Sequence, residues 1–318
     1  IKADLIIIDE ASMIDIELAS ALFSAIKRGT HLLIVGDVDQ LPSVGPGRVL
    51  QDLIESQKVP VTRLTIIYRQ GEGSLIIQNA HRVNRGKMPI IPPRDSSRTF
   101  DFYWIEEEDP ERVCALIEEV VCERIPQRFG FDPRRDVQVL TPMNRGAAGT
   151  HNLNTRLQTR LNPLDLAAKE ARVLDGIVRE GDKVMQIINN YDLEVFNGDI
   201  GFVVAISPER NTFCVQFDHG QVCYDQDTRD QLRLAYATTI HKSQGSEYPA
   251  VVLPVISSHF VMLRRELIYT AMTRAKKLLV MIGSNRALRM AVENFQKKPR
   301  YSTLAERLRN NQRIKNTG

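Results

Sequence analysis

Short, uniformly apolar runs alternate with segments of helical periodicity in the first part of the chain. Residues 3–9 (ADLIIID) and 31–37 (HLLIVGD) lack the alternation of a half-exposed strand, so they predict parallel strands that are covered on both faces. Between them, residues 15–29 have the spacing of an amphipathic helix, with Asp15 as its N-cap and Gly29 at its end. The pattern predicts an α/β region that opens on a strand.

Strands and helices continue to alternate as far as about residue 175, which predicts a doubly wound parallel sheet. From Gly176 the pattern changes to short strands separated by turn dipeptides, with no helix between them. Near residue 232 the α/β pattern resumes. We therefore expect an α/β fold with two parallel-sheet domains and a small antiparallel β-barrel inserted in the second. The expected boundaries are 1–67 for the first domain, 68–175 and 232–318 for the second, and 176–231 for the barrel.

The amino-acid composition adds little to this prediction of the fold. The 318 residues are 43% hydrophobic and 25% charged, as in ordinary globular proteins, and no apolar run reaches the length of a membrane span. We expect a cytoplasmic protein without membrane contact. The net charge of +3 does not by itself indicate nucleic acid, so any basic surface must be local. The Lys/Arg-rich residues 294–318 are more typical of a solvated helix and tail than of a nucleic-acid contact.

The four cysteines form no CxxC pair, and no histidine lies at ligand spacing from them. Cys114 and Cys122 lie on a helical pattern and are expected as buried thiols. Cys214 and Cys223 flank a turn and are placed to face each other across a hairpin. We favour reduced, structural cysteines over a disulfide or a zinc site, which suits a cytosolic protein.

Carboxylates follow the first predicted strand. Asp9 and Glu10 end the run LIIIDEAS, where one carboxylate could hold Mg²⁺ near two phosphates and the other could deprotonate a water molecule. A plain strand-to-helix turn explains the pair about equally well. The second strand ends at Asp37 and is followed by Gln40, which could contact a γ-phosphate or hold the water. The alternative there is an ordinary Pro/Gly loop.

Three later stretches carry further polar side chains. In IYRQ, Tyr68 could stack on a base and Arg69 could reach a phosphate, although a surface pair at a strand end explains them when taken alone. Several hydrogen-bond donors that could contact a sugar-phosphate backbone lie in the turn 239–247. Glu247 could accept a hydrogen bond from a ribose hydroxyl. Arg274 lies near the end of a helical pattern, where favourable charge at the helix C-terminus is the alternative explanation.

In this order, the five stretches resemble motifs II to VI of the superfamily 1 DNA helicases, most closely the RecD-type group. The resemblance runs from Ile1 to about Arg309 and includes the inserted barrel. It implies two RecA-like lobes, the first of them truncated, and a Src-homology-3-like barrel. It also implies roles at the matching positions: Asp9 as Mg²⁺ ligand, Glu10 as general base, Gln40 as γ-phosphate sensor, Arg69 and Arg274 as arginine fingers, Tyr68 as the adenine-stacking residue, Asp37 and Gly245 as nucleotide contacts, Glu247 as the ribose contact, and Thr239, His241, Lys242 and Ser243 as contacts to single-stranded DNA.

The resemblance further implies ATP and Mg²⁺ as cofactors, single-stranded DNA as partner, 5′-to-3′ movement, and either independent work or membership of a nuclease complex. No GxxxxGK[ST] loop is found in the sequence, and the family's earlier motifs would have to precede Ile1. We therefore expect a motor fragment that lacks the upstream half of its first domain, hydrolyses ATP negligibly by itself and exposes apolar strands. The alternatives are a non-catalytic module that binds single-stranded nucleic acid, and the helicase part of a conjugative relaxase.

Overall fold

The computed structural model describes residues 1–64, 73–93, 98–165, 169–294, 300 and 302–315. Within these residues the chain forms two parallel sheets and two antiparallel sheets, together with helices that cover the larger parallel sheet. The prediction of an α/β fold with an inserted antiparallel unit is confirmed. None of the helices in this part of the chain has both the length and the apolar composition needed to cross a bilayer.

The N-terminal unit, residues 1–64, is built on two parallel strands, β1 (Leu5–Ile8) and β2 (His31–Ile34). Helix α1 (Ile16–Ala25) connects them, and α2 (Val49–Ser56) follows β2. The two strands run side by side in the same direction, so the loops that follow them leave from the same edge of this small sheet.

The two ends of helix α1 can be compared with the ends that the sequence predicts. The Asp15 carboxylate accepts a hydrogen bond from the Leu18 amide at 2.8 Å, which confirms Asp15 as the N-cap. The helix ends at Ala25 rather than at Gly29, and Gly29 lies instead in the turn that leads to β2. The predicted end was therefore four residues late.

Large apolar side chains of the N-terminal unit are exposed. Leu5 is 52% exposed, Ile7 61% and Leu33 49%, although all three lie in strands. The prediction from the apolar pattern that these strands are covered on both faces is wrong for the part of the chain that the structure describes, because there this sheet has two strands and the three side chains remain exposed. The expectation of exposed apolar strands is confirmed.

The larger parallel sheet has the strand order β12-β4-β13-β14-β3. Helices lie on both of its faces, which confirms the predicted doubly wound sheet. The strands are β3 (Phe102–Glu106), β4 (Val137–Thr141), β12 (Ala237–Thr239), β13 (Tyr248–Val255) and β14 (Ala275–Gly283). The helices are α3 (Leu75–Asn84), α4 (Pro110–Glu119), α5 (Ile125–Phe129), α6 (Thr150–Leu161), α7 (Arg265–Thr273) and α8 (Asn285–Glu293), with a π-helical turn (Val120–Arg124) between α4 and α5.

Two apolar layers cover this sheet, one on each face. Leu253 of β13 belongs to the layer that α3, α7 and α8 complete, and its neighbour Val252 belongs to the layer that α4 and α6 complete. Both residues are fully buried. Because successive strand residues point to opposite faces, an uninterrupted apolar run is required wherever both faces are covered.

The inserted unit is an antiparallel sheet of order β10-β9-β8-β7-β11, preceded by a hairpin of β5 and β6. Val173 and Val178 of the hairpin belong to the same apolar core as the sheet. The strands are β5 (Glu170–Val173), β6 (Gly176–Arg179), β7 (Lys183–Gln186), β8 (Ile200–Ser207), β9 (Thr212–Phe217), β10 (Gly220–Tyr224) and β11 (Leu232–Leu234).

The cysteines differ from the expectation in one respect. Cys214 and Cys223 lie opposite each other on β9 and β10, and their sulfurs form a disulfide. The preference for reduced thiols is therefore wrong for this pair, because strand pairing brings the two Cα atoms to 4.0 Å. Cys114 and Cys122 are free thiols, and burial raises the pKa of both to about 11.

The C-terminal helix α9 (Leu304–Lys315) returns to the N-terminal unit and lies against α2. Arg309 donates to the Glu55 carbonyl at 2.6 Å, and Ala305 is buried. The expected solvated helix is therefore wrong for residues 304–310, which dock on α2 while Glu306 and Arg307 stay exposed, and the expected tail at 316–318 lies outside the described residues.

Candidate nucleotide and nucleic-acid site

The two acids after β1 lie in a tight turn. Glu10 has φ 50° and ψ 39°, a left-handed conformation that non-glycine residues adopt infrequently. The Asp9 carboxylate accepts the Glu10 amide at 2.8 Å, and the Ala11 amide donates to the Val35 carbonyl at 2.9 Å. These bonds hold the turn against the end of β2. Both carboxylates therefore lie at the carboxyl edge of the small parallel sheet, where α/β sheets bind ligands.

Asp37 follows β2 at the same edge and is held by groups from two parts of the chain. Its Oδ1 accepts the Asp39 amide at 2.9 Å, and its Oδ2 accepts the phenol hydroxyl of Tyr269 at 2.9 Å. The Gln40 carboxamide also donates to Oδ2, at 3.4 Å. Burial, together with the charge of Asp37, raises the pKa of Tyr269, so this phenol remains a donor at neutral pH.

Arg274 caps the C-terminal end of α7 and is only 3% exposed. Its Nη2 donates to Gln40 Oε1 at 2.9 Å, and its Nη1 donates to the Ser246 carbonyl at 3.2 Å. The same Nη1 lies 3.9 Å from Glu10 Oε1. One guanidinium of the large sheet unit therefore contacts a carboxylate and a carboxamide of the N-terminal unit.

Further contacts across this junction were not predicted. The Leu41 amide donates to Thr270 Oγ1 at 2.9 Å, and the Leu41 carbonyl accepts from Gln244 Nε2 at 3.0 Å. Tyr269 and Thr270 precede Arg274 by five and four residues, about one helical turn. This spacing is the feature of the sequence that could have identified Tyr269 and Thr270, because it places their side chains near that of Arg274 on the same helix.

The turn after β12 carries the predicted strand-contacting residues. Thr239 Oγ1 accepts the Lys242 amide at 3.3 Å, and Lys242 Nζ donates to the Ile187 carbonyl at 3.3 Å and to the Asn197 side chain. The cation of Lys242 therefore ties the turn to the inserted sheet.

His241 and Ser243 have different surroundings in the same turn. Burial, followed by the charge of Arg264, lowers the pKa of His241, which favours a neutral imidazole. Ser243 is fully buried, and its hydroxyl donates to the Ile240 carbonyl at 2.9 Å. Its contact with a strand remains a prediction.

The predicted ribose contact lies beside Arg274. Glu247 forms an ion pair with Lys276 at 3.2 Å. Gly245 has φ +79°, a backbone conformation in which a residue with a side chain would be strained. Ser246 between them accepts from Arg274. Tyr68 and Arg69 lie outside the described residues, so their predicted roles remain predictions.

Three family descriptions match successive parts of the chain. Residues 1–101 match an AAA domain, residues 153–217 match an ATP-dependent RecD-like DNA helicase SH3 domain, and residues 234–282 match a UvrD-like helicase C-terminal domain. The ATP-dependent RecD2 DNA helicase of Deinococcus radiodurans is 36% identical over 306 residues, which cover 96% of this chain and 40% of that protein. The chain belongs to the RecD-type superfamily 1 helicase family.

Other RecD-type relatives align over a similar range. The RecBCD enzyme subunit RecD of Mycolicibacterium smegmatis is 31% identical over 317 residues, which cover 96% of this chain and 54% of that subunit. The chain thus spans about half or less of the length of these curated relatives. The inserted antiparallel sheet is the SH3-like domain of the family.

A solved structure agrees on the fold. A structure of two coordinating Pif1 helicases at forked double-stranded DNA has a TM-score of 0.50 and 17% identity, and the alignment covers 98% of this chain and 75% of that one. This likeness concerns the fold alone.

Proposed function

We propose that this chain is part of the motor of an ATP-dependent DNA helicase that moves 5′ to 3′ on single-stranded DNA. The observation that carries the proposal is Arg274, a buried guanidinium that contacts both Gln40 and Glu10 across the junction. An arginine held against a carboxylate and a carboxamide at the carboxyl edge of a parallel sheet suits transfer of a phosphoryl group to water.

In this proposal each side chain at the edge has one task. Glu10 takes a proton from the attacking water, Gln40 orients that water, and Arg274 stabilises the charge that develops on the γ-phosphate. Asp37 accepts from Gln40 and so positions it. Tyr68, Gly245 and Glu247 would contact the nucleoside, and Arg69 would be a second phosphate-binding arginine.

The residues present fit Mg²⁺ as a partner of the nucleotide. The described residues contain no cluster of three or more metal-binding side chains, but Mg²⁺ bound with a nucleotide needs only one or two carboxylates, with phosphates and water completing its shell. Asp9 has an exposed side chain at the sheet edge and would supply that carboxylate. When bound, the ion would neutralise phosphate charge.

The strand-binding part of the proposal is supported by continuity of the chain. Thr239, His241, Lys242 and Ser243 occupy the turn that continues into Ser246, and Ser246 accepts from Arg274. A change in the position of Arg274 would therefore act on the backbone three residues from this turn. This connection gives a physical route from nucleotide state to DNA affinity.

We also propose that this 318-residue chain by itself hydrolyses ATP negligibly. Its sequence has no GxxxxGK[ST] loop, which supplies backbone donors and a lysine to the phosphates. Like charges about 4 Å apart repel by roughly 4 kcal/mol at an effective dielectric constant of 20, so ATP beside Asp9 and Glu10 needs that cradle. Phosphate release by the chain alone, stimulated by oligothymidylate, would contradict this part.

The main test uses the chain preceded by a segment that supplies a phosphate loop. Arg274→Ala should lower the kcat for DNA-stimulated ATP hydrolysis by about 1,000-fold or more, because the variant lacks the cation at the transferred phosphoryl group. Arg274→Lys should retain part of the rate. The matched control is Lys277→Ala, which removes an exposed cation three residues away and should leave kcat within about twofold. Equal rates in all four proteins would contradict the proposal.

The second candidate function is a non-catalytic module that binds single-stranded nucleic acid, which the absence of GxxxxGK[ST] favours. The two functions differ in coupling. A motor changes its affinity for DNA between nucleotide states, whereas a passive module does not. Fluorescence anisotropy of labelled oligothymidylate with ADP, with a non-hydrolysable ATP analogue and without nucleotide distinguishes them in the phosphate-loop protein.

A further inference from the structure

A cavity of about 330 Å³ lies between the N-terminal unit and the end of α7 that is remote from Arg274. The loop after β2 contributes Gln40 and Arg48 to its wall, and the residues at the start of α7 contribute Arg264. The cavity has room for a polar group much larger than one water molecule. Its wall is strongly basic.

Two of the four arginines that line the cavity already have backbone partners. Arg300 donates to the carbonyls of Gly45 and Gly47, and Arg265 donates to the Val292 carbonyl. Two acids, Asp39 and Glu266, also line it. Asp39 accepts from the Asn84 side chain at 2.9 Å. Four cations against two anions leave the wall positive.

Arg48 and Arg264 differ from the other two arginines. Neither side chain forms a hydrogen bond or an ion pair with any of the described residues, and Glu266 forms no ion pair with either of them within the same part of the chain. The Nε of Arg48 is shielded from solvent without a partner. A shielded guanidinium nitrogen without an acceptor is costly, and an anion offers the strongest compensation.

The cavity borders both predicted sites. Arg264 lies close enough to His241 for its charge to act on the imidazole. Arg264 and Arg274 flank α7 ten residues apart, or roughly 15 Å at the helical rise of 1.5 Å per residue. Gln40 lines the cavity and also accepts from Arg274. An anion in the cavity would therefore lie between the strand-contacting turn and the nucleotide-contacting carboxamide.

We propose that Arg48 and Arg264 together bind one backbone phosphate of the single strand in this cavity. This inference rests on the proposed function, because it assumes that a strand follows the turn at His241. A phosphate suits the pair, since guanidinium groups present planar sets of donors to its oxygens. Arg48 belongs to the N-terminal unit and Arg264 to the large sheet unit, so a strand phosphate held by both would join the two units beside Gln40.

The test measures the binding of labelled oligothymidylate by anisotropy across a series of KCl concentrations. Arg48→Gln and Arg264→Gln should each weaken binding by roughly tenfold and make the slope of log K against log [KCl] shallower by about 0.7, the value for one single-strand phosphate. The double variant should lose little more slope than either single variant, because both arginines hold the same phosphate. Arg112→Gln, an exposed arginine on α4, is the charge-matched control and should leave the slope unchanged.

Two additions keep each outcome decisive. Arg264→Lys retains the charge, so it should keep most of the slope while losing part of the affinity; thermal unfolding of every variant checks that it is folded. Inorganic phosphate is titrated at constant ionic strength as a competitor. If the glutamine variants keep the full slope but lose competition by inorganic phosphate, the cavity binds free phosphate and the strand assignment is wrong.

The remaining outcomes separate this inference from the proposed function. If the unsubstituted chain does not bind oligothymidylate at all, the proposed function fails. If it binds, and the folded Arg48→Gln, Arg264→Gln and double variants all keep its affinity and slope, only the assignment of these two arginines is overturned.

Discussion

The two parallel sheets of this protein are built from similar sequence in different surroundings. In β13, YPAVVLPV, seven of eight residues are buried, and helices cover both faces of the sheet. In β1, LIII, two of four residues are more than half exposed. A uniformly apolar strand sequence therefore indicates that both faces of the strand can be buried. It does not indicate whether the same chain supplies the segments that bury them.

The junction between the two regions contains several hydrogen bonds and the buried side chain of Leu41. Arg274, Gln40, Thr270 and Leu41 join the N-terminal unit to α7 through hydrogen bonds to side chains and backbone. Hydrogen bonds of this kind fix orientation and contribute modest free energy, whereas apolar burial contributes more. We therefore expect the stability of the chain to come from the large sheet unit and the geometry of the site to come from the junction.

The largest expected difference between the two sheets is in the response to lost methyl groups. Leu253→Ala in β13 should lower the free energy of unfolding by about 2–5 kcal/mol, because it leaves a cavity in a fully buried layer. Leu33→Ala in β2, the same chemical change at a side chain 49% exposed, should cost under about 1 kcal/mol. Urea unfolding measures both, and equal costs would refute the contrast.

A second contrast is in the response to acid. Burial lowers the pKa of His259, in the large sheet unit, from 6.5 to about 4. Between these values the unfolded chain binds a proton that the folded chain does not, so stability is complete above pH 6.5 and is lost as pH falls towards 4. The loss approaches about 3 kcal/mol, at 1.36 kcal/mol per pKa unit. Urea titrations from pH 7 to 4.5 measure it.

The control for that prediction is a substitution that removes no titratable group. Leu33→Ala should leave the pH dependence of unfolding as it is, whereas His259→Gln should remove most of it, because the substituted side chain does not titrate. If the two variants follow the same curve, acid sensitivity does not arise from the covered sheet.

A substitution at the junction between the N-terminal unit and α7 should lower the free energy of unfolding by less than Leu253→Ala does. Thr270→Val keeps the shape of the side chain but leaves the Leu41 amide without its acceptor, which should cost about 1–3 kcal/mol. Hydrogen exchange should rise at Leu41 more than in β13, because the lost bond holds the N-terminal unit and not the large sheet. Uniform acceleration across both sheets would show that the two regions do not behave separately.

The smallest expected effect on stability is at the exposed face of β1. Ile7→Thr keeps a β-branched side chain at a position 61% exposed, so unfolding should change by under about 0.5 kcal/mol. Self-association at high concentration should fall, because exposed apolar strands pair with other chains. Light scattering measures this, and Thr212→Ser on β9 is a control that removes one methyl group from a strand of the inserted unit. Undiminished scattering would indicate another cause of association.

Much of the fold was predictable, because its determinants are local. The strand of Val252 and Leu253 is apolar throughout, Asp15 is a recognisable cap, and the turn dipeptides of the inserted sheet are explicit. The exposure of the apolar side chains of β1 was not predictable from its own sequence, because it depends on which other segments pack against the strand. The docking of α9 on α2 was missed because a charged sequence conceals a narrow apolar face.

The candidate site was predictable in part. The resemblance assigns Arg274, Gln40 and Glu10 to one site. Arg274 lies within contact distance of the other two, and the roles of all three stay predictions. Tyr269 and Thr270 were missed because their partners are more than 220 residues away in sequence, at separations of 232 and 229. The disulfide follows from strand register, which pairs Cys214 with Cys223, whereas the expected compartment favours reduced thiols.

At Glu10 the left-handed backbone favours glycine, whereas the proposed chemistry needs a carboxylate. A left-handed conformation costs an L-amino acid roughly 1 kcal/mol that glycine avoids. A chain optimised for thermal stability alone would carry glycine at this position and would lose the carboxylate. Engineering that ranks substitutions only by melting temperature would therefore favour removing the very side chain that faces Arg274.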